Sequence, residues 1–167
     1  HLKTSQAPPI EKVFGSYAFV EGWAHYAEKM MIDEKYGSTG DSVIDAKYRL
    51  AQSAEALLRL CRLCVSIKMH CQGMTIEEAT RFFMDNWHQG EKPSYQEALR
   101  GTYDPGYLYY TLGKMEMLKL RSDYEKQEGD NFSLLKFHDQ VLDHGMPPIR
   151  LLREKLLKDK TIWDDIL

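Results

Sequence analysis

The sequence predicts an all-α fold, a multi-helix bundle. Three observations lead there. Apolar residues recur three or four positions apart, as in Leu50, Ala54, Leu57, Cys61 and Cys64, which is the period of one helix face. Capping signals precede such stretches and glycines follow them. No convincing strand pattern of alternating apolar and polar residues appears.

The elements follow in order. Residues 1–12 read as a loop closed by Pro8 and Pro9. A first helix runs from about Val13 to Tyr36, with Gly37 as its stop. Asp41 caps a long second helix reaching about Met69, and Gly73 ends it. Thr75-Ile76-Glu77-Glu78 is a capping box: Thr75 accepts from the third backbone N–H while Glu78 bonds back. It opens a helix to about Trp87. Ser94-Tyr95-Gln96-Glu97 reads as a second box. Asp104-Pro105 starts a helix to Glu128, with Pro in its first turn, and Gly129 stops it. Asn131 or Asp130 caps a helix through His144. Gly145 ends that one, and Pro147-Pro148 restart the chain into a last amphipathic stretch.

A length of 167 residues suits one helical domain, 1–167, with a real core. The formal net charge of -3 gives no basic footprint for nucleic acid. No run approaches the ~18 apolar residues of a membrane span. The chain starts at His1 rather than Met, so it is expected to be truncated at its N-terminus, and the compartment stays open between export and cytoplasm. Three cysteines between Cys61 and Cys71 make no disulfide framework. Ten Tyr and eight Met suggest a core or groove with adaptable, partly polar walls.

No complete catalytic motif is present: no His-Glu-x-x-His, no phosphate-binding loop and no nucleophile elbow. The best site candidate is "FVEGWAHYAEKM", Phe19 to Met30. Glu21 and His25 stand one helical turn apart on one face, with Glu28 close to the same stripe. An ionised carboxylate among apolar residues must be paired or bound to metal. Two readings stay open: Glu21 at a solvent boundary beside His25, or Glu21 as a metal ligand. A catalytic zinc needs about three protein ligands, so the others would come from elsewhere. His1 lies at or beside such a ligand, or is a frayed terminus. Cys61-Arg-Leu-Cys64 falls on the apolar seam and reads as core. Tyr110 belongs to a tyrosine-rich helix start, and a tyrosine hydroxyl can donate to a developing oxyanion. His138, His144, Arg121 and Arg150 are substrate-binding candidates, the arginines as clamps for a carboxylate.

These blocks occur in a telling order. "HLK", "FVEGWAHYAE", "CVSIKMHCQGMTIEEA", "RGTYDPGYLYYTLGK", "LKLR" and "KFHDQVLDHGMPPIRLL" together resemble the C-terminal part of a bacterial zincin-like family, gluzincin-type, long catalogued as a domain of unknown function. Its members carry His-Glu-x-x-Pro-Gly-His-His-Leu-Gln, followed by Glu-Gly-Trp-Ala-x-Tyr-Ala-Glu. The resemblance covers essentially the whole chain. It implies a larger helical zinc peptidase in which Glu21 is the third zinc ligand. The general base and two ligand His would lie upstream. His1 matches the neighbour of a ligand His. Tyr110 and Gly113 match a Tyr-x-x-Gly block, and the resemblance implies that Tyr110 supports a tetrahedral intermediate formed by water attack on a peptide carbonyl. Members often have Leu where this chain has His25, so His25 is placed beside the ligand rather than on the metal, with His1 and Glu28 also beside it; many have Asp where this chain has Ser66, and no function is assigned there.

The expected function is therefore the C-terminal helical part of a zinc-dependent, metallopeptidase-like hydrolase acting on a peptide-like substrate. It would need zinc and the missing N-terminal part of the parent chain, and be inactive alone. The alternative is a non-catalytic helical domain that binds a peptide or protein.

Overall fold

The computed structural model describes residues 7–167. Its helices are α1 (Pro9–Val13), α2 (Tyr17–Asp33), α3 (Ser42–Gln72), α4 (Ile76–Trp87), α5 (Glu91–Tyr103), α6 (Tyr109–Glu128), α7 (Leu134–Asp143) and α8 (Ile149–Leu156). Short 3-10 turns cover Pro105–Leu108, Gly129–Asn131 and Lys160–Ile162. The chain is all-α, a multi-helix bundle, and no strand occurs among the described residues. Contacts divide it into two compact units, residues 24–112 and residues 1–23 with 113–167. The division falls within α2 and α6.

In the unit of residues 24–112, α3 is the spine. Asp41 caps it by accepting from the backbone N–H of Val43 and Ile44. Gly73, at φ 72°, takes the left-handed conformation that releases the chain. α4 and α5 pack on each other and on α3. The core between them holds Leu58, Cys61, Val65, Ala79, Phe83 and Ala98. The capping box at Thr75 forms with both of its hydrogen bonds. The turn at Pro105 is tied to α3, where the Ser66 hydroxyl donates to the Pro105 carbonyl at 2.8 Å. His70 Nε2 lies 2.8 Å from the Gly101 carbonyl and ties α3 to α5.

In the other unit, the buried residues include Phe19, Met117, Leu120, Tyr124, Phe137, Val141, Ile149 and Leu152. Here α2 and α6 meet at glycines. A Cβ added to Gly22 would collide with the Gly113 backbone, and one added to Gly113 would collide with the Ala18 carbonyl. The C-terminal tail is anchored by charge. Arg153, fully buried, donates to Asp123 at 2.7 Å and to the Ile162 carbonyl at 2.6 Å. Lys119 bridges Asp123 and Asp165.

Five sequence expectations are corrected. The loop assigned to residues 1–12 contains the start of α1, and the helix expected from Val13 to Tyr36 is interrupted. Ser16 N–H donates to the Met146 carbonyl at 2.7 Å, and the Ser16 hydroxyl accepts from Phe19 N–H. Those bonds end one helix and begin the next. The box expected at Ser94 is not a helix start: Gly90 is the N-cap, and Ser94 is buried inside α5. Pro93 lies in the first turn, where its missing N–H costs nothing. The cap of α7 is Ser133, which accepts from Lys136 N–H, and not Asn131 or Asp130. The helix expected from Pro105 opens as a 3-10 turn before α6 begins at Tyr109.

Candidate functional site

Glu21 lies in the second turn of α2 and is half-buried. It makes no hydrogen bond or ion pair with another described residue. The helix brings it next to Gly22, whose close approach to Gly113 holds this turn against α6. Trp23 follows, stacked on Phe19 at 6.3 Å and met edge-on by His138 at 5.3 Å. His138 thus packs against the segment that carries Glu21. The expectation for His1 lies outside the described residues.

The donor set decides how Glu21 fits a metal. A carboxylate oxygen is a zinc donor, and this one has no cation of the described chain beside it. Among the described residues, no group of three or more His, Cys, Asp or Glu is gathered to hold an ion. Glu21 is thus a single carboxylate, with no other donors gathered beside it among the described residues.

In the unit of residues 24–112, His25 is buried and its Nδ1 lies 3.4 Å from Glu28 Oε2. Glu28 Oε1 in turn accepts from Arg59 of α3 at 2.9 Å. The Arg59 guanidinium lies 5.7 Å from the centroid of the Tyr110 ring. His25 and Glu28, neighbours on α2, are thus joined to the distant Tyr110 through an arginine that local motifs did not mark. Arg100 completes the surroundings. It binds Asp104 at 2.8 Å through Nη2 and at 3.0 Å through Nε. Arg62 and Glu97 form a two-pronged ion pair, both contacts at 2.7 Å. Only the pairing of distant helices reveals these partners.

The remaining candidates are spread out. His144 caps the end of α7 and lines a cavity of about 290 Å³ with Tyr124, Gln127, Lys136, Lys155 and Lys158. Burial, and then Lys155, hold its imidazole below the usual value. Arg150 is engaged by Asp164 at 2.8 Å and by Glu154. That pairing occupies the guanidinium that the sequence offered to a substrate carboxylate. Arg121 is half-buried on α6. Cys61 is buried and Cys64 partly so, both as free thiols. Burial pushes the Cys61 thiol up to about 11, so it is no nucleophile at neutral pH.

Comparison with known proteins adds a family and a fold. Over 92% of its length the chain superposes on a solved Shewanella oneidensis protein, described as "a putative lipoprotein of unknown function", at 28% identity and a TM-score of 0.80. It spans 27% of that longer chain. No curated protein matches the sequence. No described helix is long and apolar enough to cross a membrane. Residues 2–156 match the family model described as "Bacterial protein of unknown function (DUF885)", and the chain belongs to that bacterial family.

Proposed function

We propose that this chain is the C-terminal helical part of a zinc-dependent, metallopeptidase-like hydrolase. Glu21 carries the reading: a half-buried carboxylate with no partner among the described residues, inside the Glu-Gly-Trp-Ala block of the resemblance. In this reading Glu21 is one zinc ligand, and the other ligands and the general base belong to a part of the protein outside the described residues. His25 and Glu28 brace the same helix. Tyr110 would support the tetrahedral intermediate by donating a hydrogen bond to the developing oxyanion while keeping its proton. Zinc, when bound, supplies Lewis acidity toward water and the carbonyl. In this reading the chain alone is inactive, because the general base and the other ligands come from outside the described residues.

Metal analysis of the protein expressed from its natural gene tests this. About one zinc per chain is expected, with at least tenfold weaker zinc binding in Glu21→Ala and little change in fold. Unchanged zinc affinity in the variant removes Glu21 from the site.

One observation favours the non-catalytic reading. Ile10, Val13, Phe14 and Val20 are exposed apolar residues, a pattern that suits a protein-binding surface. Loss of a protein complex in Phe14→Glu, with no zinc in the natural protein, would select it.

A further inference from the structure

We propose that the bare front of α3, from Val43 to Ala54, is a self-association surface. Two copies of this chain pair there, helix against helix and antiparallel, with Lys47 of each copy against Glu55 of the partner subunit. The pairing goes beyond the hydrolase reading and does not rest on it.

Residues three or four apart on a helix share a face. On α3 one such series runs through Val43, Lys47, Leu50, Ala54, Leu58 and Cys61. Its second half is core. Leu58 and Cys61 are buried with Ala79 and Phe83 of α4 and Ala98 of α5. Its first half is bare. Val43 is 61% and Leu50 69% exposed, and Ala51 and Ala54 are exposed beside them. The cover that α4 and α5 provide begins at Leu57. α2 holds the other side of α3, through Asp33 with Arg49 and Glu28 with Arg59. The apolar seam thus continues about three turns past its cover. A continuous apolar stripe left in water marks a surface that another element covers.

Charge names the occupant. Lys47, in the middle of the bare face, makes no hydrogen bond or ion pair with a described residue. Glu55 lies about two turns further on. It is 65% exposed, and its ion pair with Arg59 is a long one at 3.7 Å. The two opposite charges stand at equal distances on either side of Ala51. Antiparallel pairing about a two-fold axis at Ala51 therefore sets Lys47 against the partner's Glu55 twice over. Parallel pairing sets Lys47 against the partner's Lys47, which repels. The small side chains of Ala51 and Ala54 let the two helices approach closely. So short a seam makes a small interface, and the dimer is expected to dissociate in the micromolar range.

Sedimentation velocity of the protein expressed from its natural gene, across the micromolar range, tests this. A monomer–dimer equilibrium is expected, weakened by salt. Leu50→Glu should keep the helical circular dichroism, since Leu50 is exposed, and hold the protein monomeric. Lys47→Glu or Glu55→Lys alone places like charges together and should raise the dimer dissociation constant about tenfold. The double variant Lys47→Glu with Glu55→Lys restores opposite charges and should recover most of the affinity. With Cys71→Ser as background and diamide as oxidant, Ala51→Cys should cross-link two chains. Val43→Cys should not, because its two copies lie about 24 Å apart along the paired helices. Losses that add in the double variant, or a cross-link at Val43→Cys alone, overturn the antiparallel register. A dimer untouched by Leu50→Glu overturns the surface. A protein monomeric throughout overturns self-association, and the face then belongs to another segment or another protein.

Discussion

Tyr107 carries a buried hydroxyl with no hydrogen-bond partner among the described residues. Its oxygen sits over Gly101, where an added Cβ would come within 2.5 Å of it. Burial, and then Glu97, push its pKa up. The phenol is thus neutral and dry, a condition that costs about 1–3 kcal/mol. Tyr107→Phe keeps the ring and removes the orphaned group. Its thermal midpoint should equal or exceed that of the wild type, by the equivalent of up to roughly 1–3 kcal/mol. A clear loss of stability would mean that a bound water pairs with the hydroxyl. At the same scale Glu21 was legible as a carboxylate in apolar surroundings. The contact of Arg59 with Tyr110 was not, because the two lie far apart in sequence and no local pattern joins them.

At the scale of elements, Gly22 and Gly113 are instructive. Helix propensity alone says that replacing either with Ala gains roughly 1 kcal/mol. Packing says the reverse. The atoms that a new Cβ would meet are backbone, which cannot swing aside like the end of a side chain. We expect Gly22→Ala and Gly113→Ala each to destabilise by roughly 1–3 kcal/mol, read as a lower denaturant midpoint. A stabilised variant would show that α2 and α6 spread at little cost. The sequence placed these glycines in two separate motif blocks. Their opposition appears only when the helices pack. Most helix ends were legible, since Asp41, Gly73 and Thr75 act through bonds to their own neighbours. The break at Gly15-Ser16 was not, since it depends on Met146.

For the whole molecule, carboxylates paired with basic side chains set the response to acid. Burial alone would raise the pKa of Asp123. Hydrogen bonds from Arg153 and Lys119 overcome that and hold it below its ordinary value of 3.8. Asp33 follows the same logic with Lys29 and Arg49. A carboxyl depressed in the folded state contributes stability that is present above the unfolded pKa and lost as pH falls through the folded value. Stability should therefore hold near neutrality and decline below about pH 4. Asp123→Asn should be less stable at neutral pH, with a flatter acid dependence in denaturant titrations. An unchanged dependence would mean that the Arg153 contact is worth no more folded than unfolded.

The sequence by itself determined the helical class and most caps and stops. All of these rest on interactions within a few residues, or on the chemical nature of one side chain. Tertiary structure alone decided which glycines touch, that Arg150 is engaged by Asp164, and that Arg59 lies against the Tyr110 ring. Such contacts join residues tens of positions apart, and their energy exists only after the helices have packed and excluded water.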